Sequence, residues 1–330
     1  MDQKKIIITV DEKLAEVRID KAISSILKEF SRMNIKHWIN SGNILVNEEK
    51  VEPKTKLVIG QTVSVEPIFE DRKETVSESM DLDIVFEDDH MIIINKPYGL
   101  VVHPGTGNME GTLQNGLLHH HSALSKLPRA GLIHRLDKNT SGLLIIAKTN
   151  ESFNALVSDL QERVITREYR AICVGVMTSG GTVDANLSRD PNNRIRFKIM
   201  NQGKRAITHY RVLKKFKNHT FLGLRLETGR THQIRAHLSH IKYPLIGDPL
   251  YGGRFFIPKG AKEDLILKLK NFKRQALHAC LLSFDHPIEK KKMKFESMLP
   301  SDMESILLEM SEGSLTKESA NKLVYPEVKV

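Results

Sequence analysis

Apolar residues recur at helical spacing through Ile19, Ile23, Ile26, Leu27 and Phe30, which predicts a short amphipathic helix. Ser31 is placed to cap a second helix that turns Ile35, Trp38 and Ile39 inward and ends at Gly42. Ile6 to Val10 reads as one strand in an N-terminal arm. Ile44-Leu45-Val46, a turn at Asn47-Glu48-Glu49 and a strand-like stretch from Leu57 to Val65, with a turn at Gly60-Gln61, complete a small α+β unit. The pattern then lapses. Residues 66 to 83 carry seven acids and few apolar positions, which predicts a solvated linker.

From Ile84 onward short β-rich runs return, at Met91 to Asn95, Leu143 to Ala147, Tyr169 to Val174 and Phe221 to Leu226. They are separated by Gly, Pro and Asn turns and by helical candidates at Glu151 to Arg163, Thr231 to Ile241 and Asp302 to Ser311. This is not a regular βαβ alternation. It predicts an α+β fold with a large mixed, mainly antiparallel sheet. The expected organisation is an arm over residues 1–15, a small unit over 16–66, a linker over 67–83, a large domain over 84–312 and a loosely held tail over 313–330.

Composition narrows the class. Of 330 residues, 40% are hydrophobic, enough for a sizeable core without staples. Cys173 and Cys280 stand far apart in apolar surroundings, which predicts two buried thiols and neither a disulfide framework nor metal ligands. The consecutive His119-His120-His121 point in different directions and lack Cys or acidic partners at zinc spacing, so no metal site is expected. Walker-type and dinucleotide-type glycine motifs are absent, so no nucleotide cofactor is expected either. The apolar part of the N-terminus is too short for a signal peptide and no run is long enough for a membrane span, which makes the cytoplasm the expected compartment.

The formal charge of +10 suggests a polyanionic partner, and its placement is more informative than its sum. Residues 131–240 hold 19 Lys/Arg against 8 Asp/Glu, which leaves the rest of the chain near neutral. Between Arg189 and Lys217, ten basic residues meet one acid, Asp190, and are interleaved with Phe197, Tyr210 and Phe216. Cations mixed with aromatics suit a phosphate backbone with exposed bases, and Arg194, Arg196, Lys204 and Arg205 are the candidate contacts.

Three strings could carry chemistry. In His134-Arg135-Leu136-Asp137-Lys138, ahead of the apolar strand Leu143 to Ala147, Asp137 is either an attacking group or base beside low-dielectric core, or a turn former. In Arg230-Thr231-His232-Gln233-Ile234-Arg235, Thr231 can cap a helix whose apolar stripe is Ile234, Leu238 and Ile241. Arg230, just ahead of it, either pairs with a carboxylate from another segment or lies free on a cap turn. In Thr166-Arg-Glu-Tyr169-Arg-Ala-Ile-Cys-Val174, Tyr169 shares a strand face with Ala171 and Cys173 and either stacks on a flipped base or fills core.

Two resemblances add to this reading. Arg18-Ile-Asp-Lys-Ala, Ser31-Arg32 and Ile39-Asn-Ser-Gly-Asn-Ile-Leu-Val-Asn47 resemble the S4 RNA-binding module, whose helix pair presents cations to RNA; the matching residues are Arg18, Lys21, Lys28, Arg32 and Lys36. The three chemical strings, with Ile94-Asn95-Lys96-Pro97-Tyr98-Gly99 before them and Arg274-Gln-Ala-Leu-His-Ala279 after, resemble the RluA-type pseudouridine synthases over most of residues 84–310. The leading S4-like unit fits one subgroup of that family.

The resemblance implies that Asp137 is the catalytic aspartate, that Tyr169 stacks on the target base, that Arg230 pairs with Asp137 and that Arg135 probes the space left by an extruded nucleotide. It implies an isomerase acting on uridines of large-subunit (23S) ribosomal RNA, free or in a pre-ribosomal particle, supporting ribosome assembly as a monomer and without a cofactor. A non-catalytic RNA-binding assembly factor on the same scaffold is the alternative.

Overall fold

The computed structural model describes residues 5–27, 30, 32–67, 75–105, 107–253 and 260–326. Ser31 and Lys28 lie outside them. The chain divides into two compact units, residues 1–74 and 75–330. Among the described residues, no helix is long and apolar enough to cross a membrane.

The small unit contains β1 (Ile6–Thr9), α1 (Ile19–Ile26), α2 (Arg32–Ser41), β2 (Ile44–Val46), β3 (Glu49–Lys50) and β4 (Thr62–Val65). The strands form an antiparallel sheet in the order β1-β4-β2-β3. The N-terminal strand is therefore no detached arm: Ile6 to Thr9 run in register with Val65 to Thr62. Ile19, Ile23, Ile35, Trp38 and Ile39 enter one core with Ile44, Val63 and Val65, as the helical spacing requires. Asp20, in the first turn of α1, is buried and gathers Arg18 at 2.9 Å, Arg32 at 2.8 Å and Lys36 at 3.7 Å. Burial pushes its carboxyl up, yet hydrogen bonds and charge from Arg32 and Arg18 hold it below the usual carboxylate range.

The large unit is built on a nine-stranded sheet. Its first half contains β5 (Ile84–Glu87), β6 (Met91–Lys96), α3 (Leu113–His120), β7 (Ser141–Ala147), α4 (Asn150–Gln161), β8 (Thr166–Val174), β9 (Gly181–Asp184) and the hairpin β10 (Leu187–Arg189) and β11 (Phe197–Ile199). Then follow β12 (Ile207–Lys215), β13 (His219–Leu226), α5 (Gln233–His240), α6 (Glu263–Asn271), β14 (Leu277–Asp285), β15 (Lys292–Glu296), α7 (Ser301–Met310) and α8 (Lys317–Asn321). The order is β5-β6-β7-β14-β8-β13-β12-β9, with β15 also paired to β14; β10 and β11 form a separate ribbon.

The parallel pair β14/β7 is the exception in an otherwise antiparallel sheet, and it positions the site. His278 and Ala279 lie beside Ser141 and Gly142, and Ala279 lies beside Tyr169 on its other side. Gly142 has φ +115°, and a Cβ there would meet the Ala279 carbonyl oxygen at 2.2 Å, so this close approach requires glycine. All seven residues of β7 are buried, in keeping with a central strand covered on both faces. β8 alternates: Tyr169, Ala171 and Cys173 face one core with α5 and α3, while Ile172 faces another under α6 and α7. Both cysteines are buried, and burial pushes each thiol up to about 12.

Two segments depart from the sequence expectation. Part of the presumed linker is docked: Asn115 Nδ2 donates to the Val76 carbonyl at 2.7 Å, Glu78 accepts from Gly111 N at 2.9 Å, and Leu82 packs on the core. Glu78 answers a backbone donor 33 positions away, which the local sequence does not display. The tail is held as well, since Ala320 and Tyr325 are buried, Arg170 Nε donates to the Leu323 carbonyl at 3.1 Å, and the Tyr325 ring lies 4.3 Å from the Arg225 guanidinium.

Candidate active site

Asp137 sits in the loop entering β7, and that loop is fastened from several sides. Thr140 N donates to the Asp137 carbonyl at 3.0 Å, closing a turn. His134 Nε2 accepts from Ile145 N at 3.1 Å; burial holds this imidazole down at about 3, which keeps it neutral and able to accept. Lys96, fully buried on β6, donates to the carbonyls of Pro97 at 2.7 Å, Leu100 at 3.0 Å and Lys138 at 3.1 Å. Burial drives the Lys96 ammonium down to about 7, with Asp137 pulling it up and Arg274 pulling it down. Gln275 Nε2 donates to Thr140 Oγ1 at 3.0 Å. The Asp137 turn is thus set from far along the chain, by Lys96 42 positions before Lys138 and by Gln275 135 positions after Thr140.

The Asp137 carboxylate lies at the wall of a cleft of about 550 Å³, lined also by Arg135, Tyr169, Arg167, Arg230, His232 and Arg235. Its ion pair is with Arg235, whose Nη1 donates to Asp137 Oδ2 at 2.9 Å. The other edge of that guanidinium is gripped by buried Asp248, at 2.7 Å to Nε and 2.9 Å to Nη2. Burial draws the Arg235 pKa down, but Asp248 and Asp137 outweigh it and hold the group above its ordinary value. A guanidinium clamped along both edges by carboxylates cannot swing, so it fixes the direction of the Asp137 carboxylate.

This corrects the pairing expected for Arg230. That residue lines the cleft, but it is exposed and its Nε donates to the Arg205 carbonyl at 3.3 Å. The reason is where the helix begins. α5 starts at Gln233, with His232 as N-cap in a left-handed conformation at φ 55° and no side-chain cap, so Thr231 does not cap it. Gln233 takes over the turn, accepting from Arg230 N at 3.0 Å and from Thr228 Oγ1 at 2.8 Å. Arg235 then falls on the buried face of α5, directed at the Asp137 loop.

Tyr169 satisfies both readings of its strand: it is packed among core residues and also lines the cleft. Burial, reinforced by the Asp137 charge and opposed by Arg167, raises its phenol above 10. His232 Nε2 lies 3.9 Å from Asp137 Oδ1, and its Nδ1 is 3.1 Å from the Tyr251 hydroxyl. Burial, outweighing the Asp137 charge, lowers the His232 pKa.

A family model for RNA pseudouridylate synthases matches residues 90–240. The chain is 47% identical to the ribosomal large subunit pseudouridine synthase D of Escherichia coli (strain K12), over 91% of this chain and 92% of that protein. The chain belongs to the RNA pseudouridylate synthase family. A protein of the same description from Vibrio cholerae is 44% identical over 93% of this chain and 95% of its own length. The fold is also that of the human RNA pseudouridylate synthase domain-containing protein 4, with a TM-score of 0.53 and 26% identity over 71% of this chain and 93% of that one.

Within this synthase, the other expected RNA contacts fall into two groups. Arg135 is exposed at the cleft. Arg194 is exposed in the β10–β11 turn, Arg196 lies 5.1 Å from the Tyr251 ring, Lys204 is exposed, and Arg205 pairs with Asp184 at 2.6 Å. In the small unit, Arg18, Arg32 and Lys36 surround Asp20, and Lys21 is exposed. Sequence reasoning missed Arg235, Asp248, His232 and Tyr251. One signal was available: Arg235 sits between Ile234 and Leu238, at a position that a short, largely buried helix turns inward.

Proposed function

We propose that this chain isomerises uridines of large-subunit ribosomal RNA to pseudouridine, with Asp137 as the essential carboxylate. The observation that carries the reading is the Asp137–Arg235–Asp248 clamp beside Tyr169 in one cleft. The reaction breaks the bond from ribose C1′ to uracil N1, turns the base and joins C5 to C1′; C5 gives up its proton and N1 takes one up, so the product is an isomer and needs no redox partner or energy source. The target nucleotide must leave its stack, which costs a few kcal/mol, and stacking on Tyr169 offsets part of that.

A carboxylate oriented by Arg235 is suited to attack C1′ or to remove the C2′ proton, and both routes need the anion. Tyr169, in the same cleft, is the group to assist departure of the C5 proton. Arg135 fills the space left by the extruded nucleotide, while Arg194, Arg196, Lys204 and Arg205 track the RNA backbone. The small unit serves as an S4-like RNA-binding module through Arg18, Lys21, Arg32 and Lys36. The protein acts as a cytoplasmic monomer on free RNA or a pre-ribosomal particle, in support of large-subunit assembly. Binding alone gives no use to a clamped carboxylate facing a cleft.

Asp137→Asn keeps the shape and removes the anion. Pseudouridine mapping of ribosomal RNA from cells carrying the native or the Asn protein is expected to lose specific sites with Asn. Retention of every site would reject the assignment.

A further inference from the structure

One buried arginine in the cleft has no anionic partner among the described residues, whereas Arg129 and Arg135, which also lack one, are exposed. Arg167 lies on β8 two residues before Tyr169, hence on the same strand face. It is 7% exposed and lines the cleft, and its Nε meets no acceptor. The neighbouring cations differ: Arg163 pairs with Glu227 at 2.7 Å, Arg235 is clamped by two carboxylates, and Arg230 reaches a carbonyl. Among the described residues, the Arg167 guanidinium enters no ion pair. A buried cation without an anion is unfavourable, so a fold that retains one is poised for a ligand that brings the anion. The end of the side chain is at the rim of the cleft: Nη1 lies 2.9 Å from where a Cβ on the exposed Gly229 would stand.

We propose that Arg167 receives a backbone phosphate flanking the everted uridine. This rests on the RNA-modifying reading above. A phosphodiester is anionic at every working pH and matches the guanidinium fork, whereas the uracil ring is neutral until its bond breaks. The rim, where Gly229 leaves room for Nη1, is where the strand entering and leaving the cleft must pass.

The test is a double-mutant cycle with the full-length enzyme and a large-subunit ribosomal RNA stem-loop whose target uridine carries a neutral methylphosphonate on its 5′ or its 3′ side. Arg167→Gln is expected to lower kcat/KM by roughly 30- to 100-fold, the scale of one charge-assisted pair. One of the two methylphosphonates should impose a similar loss on the native enzyme and little further loss on Arg167→Gln. Gly229→Ala, which crowds Nη1, should show the same position-specific coupling in weaker form, and Arg167→Lys should recover part of the loss.

The cycle is read in RNA affinity as well as turnover. A native enzyme that binds with the coupling but makes no pseudouridine would sink the proposed function and leave the phosphate contact standing. Losses that multiply at both phosphates, or a fall in single-turnover rate with affinity unchanged, would overturn the phosphate and point to the uracil oxygens. Because Arg167 has no protein partner, Arg167→Gln should melt no lower than the native chain. A lowered melting temperature without coupling would assign it a structural role instead.

Discussion

Each unit contains a carboxylate–guanidinium cluster, and the two are built inside out with respect to each other. In the small unit the acid is buried: the Asp20 side chain is 0% exposed, while Arg18, Arg32 and Lys36 around it are 36%, 42% and 46% exposed. In the large unit the base is buried: the Arg235 side chain is 6% exposed and Asp137 is 16% exposed at the cleft. Burying the acid leaves three cations facing solvent. Burying the base leaves one anion at the wall of a cleft. Which sign of charge an ion pair presents outward thus follows from which partner is buried.

The sharpest way to break this comparison is to remove the buried base. Arg235→Met leaves Asp248 an uncompensated buried carboxylate, so urea unfolding of the large unit should lose about 3–5 kcal/mol, with activity abolished. Survival of either would show that Asp137 does not depend on the clamp. Next in size, Asp20→Asn removes the anchor of three cations. Hydrogen exchange in α1 and α2 should report a loss of about 2 kcal/mol, the scale of hydrogen bonds to a charged group, together with weaker RNA binding.

Acid should separate the two units. Burial holds His134 at about 3, and His219, His237 and His278 at about 4, all in the large unit. The unfolded chain protonates these groups near pH 6.5 and the folded one does not, so their contribution is complete above about 6.5 and falls as pH drops towards 4. Asp20 is depressed, so its contribution is complete above about 3.9 and is lost only as pH falls through its folded value. Exchange measured from pH 7 to 4.5 should therefore open the large unit first, and the reverse order would refute the assignment. The smallest effect is expected at Arg230. Arg230→Gln should change stability by less than about 0.5 kcal/mol, as for an exposed side chain outside any buried network. Its activity should fall far less than that of Arg235→Met, and equal losses would restore Arg230 as the partner of Asp137.

Legibility in the sequence followed period and distance. The small unit's helices and the strands β6, β7, β8 and β13 were readable because their apolar spacing is a local property. Asp137 and Tyr169 were singled out because short strings around them resemble a family, and the structure brings both to one cleft. The strands of the hairpin β10–β11 are only three residues each, too short to show a period, and the docking of residues 75–83 and of Tyr325 depends on partners far along the chain. Arg230 and Arg235 illustrate the limit: both are arginines at the start of one helix, local pattern left the first open between pairing and lying free on a cap turn, and only the family resemblance assigned it to Asp137.

By itself, the sequence determined the α+β class, the position of the basic third of the chain, the choice of Asp137 and Tyr169 as candidates, and the burial of both cysteines. These follow from composition, periodicity and short strings, which are nearest-neighbour information. The tertiary structure alone decided which arginine meets Asp137, which cations stay exposed and which buried guanidinium is left without an anion. Those outcomes depend on where Gln233 starts a helix, how Gly142 lets β14 approach β7, and which carboxylate arrives from residue 248. Pairwise electrostatics is set by distance and burial in space, and the order of residues along a chain does not contain either quantity.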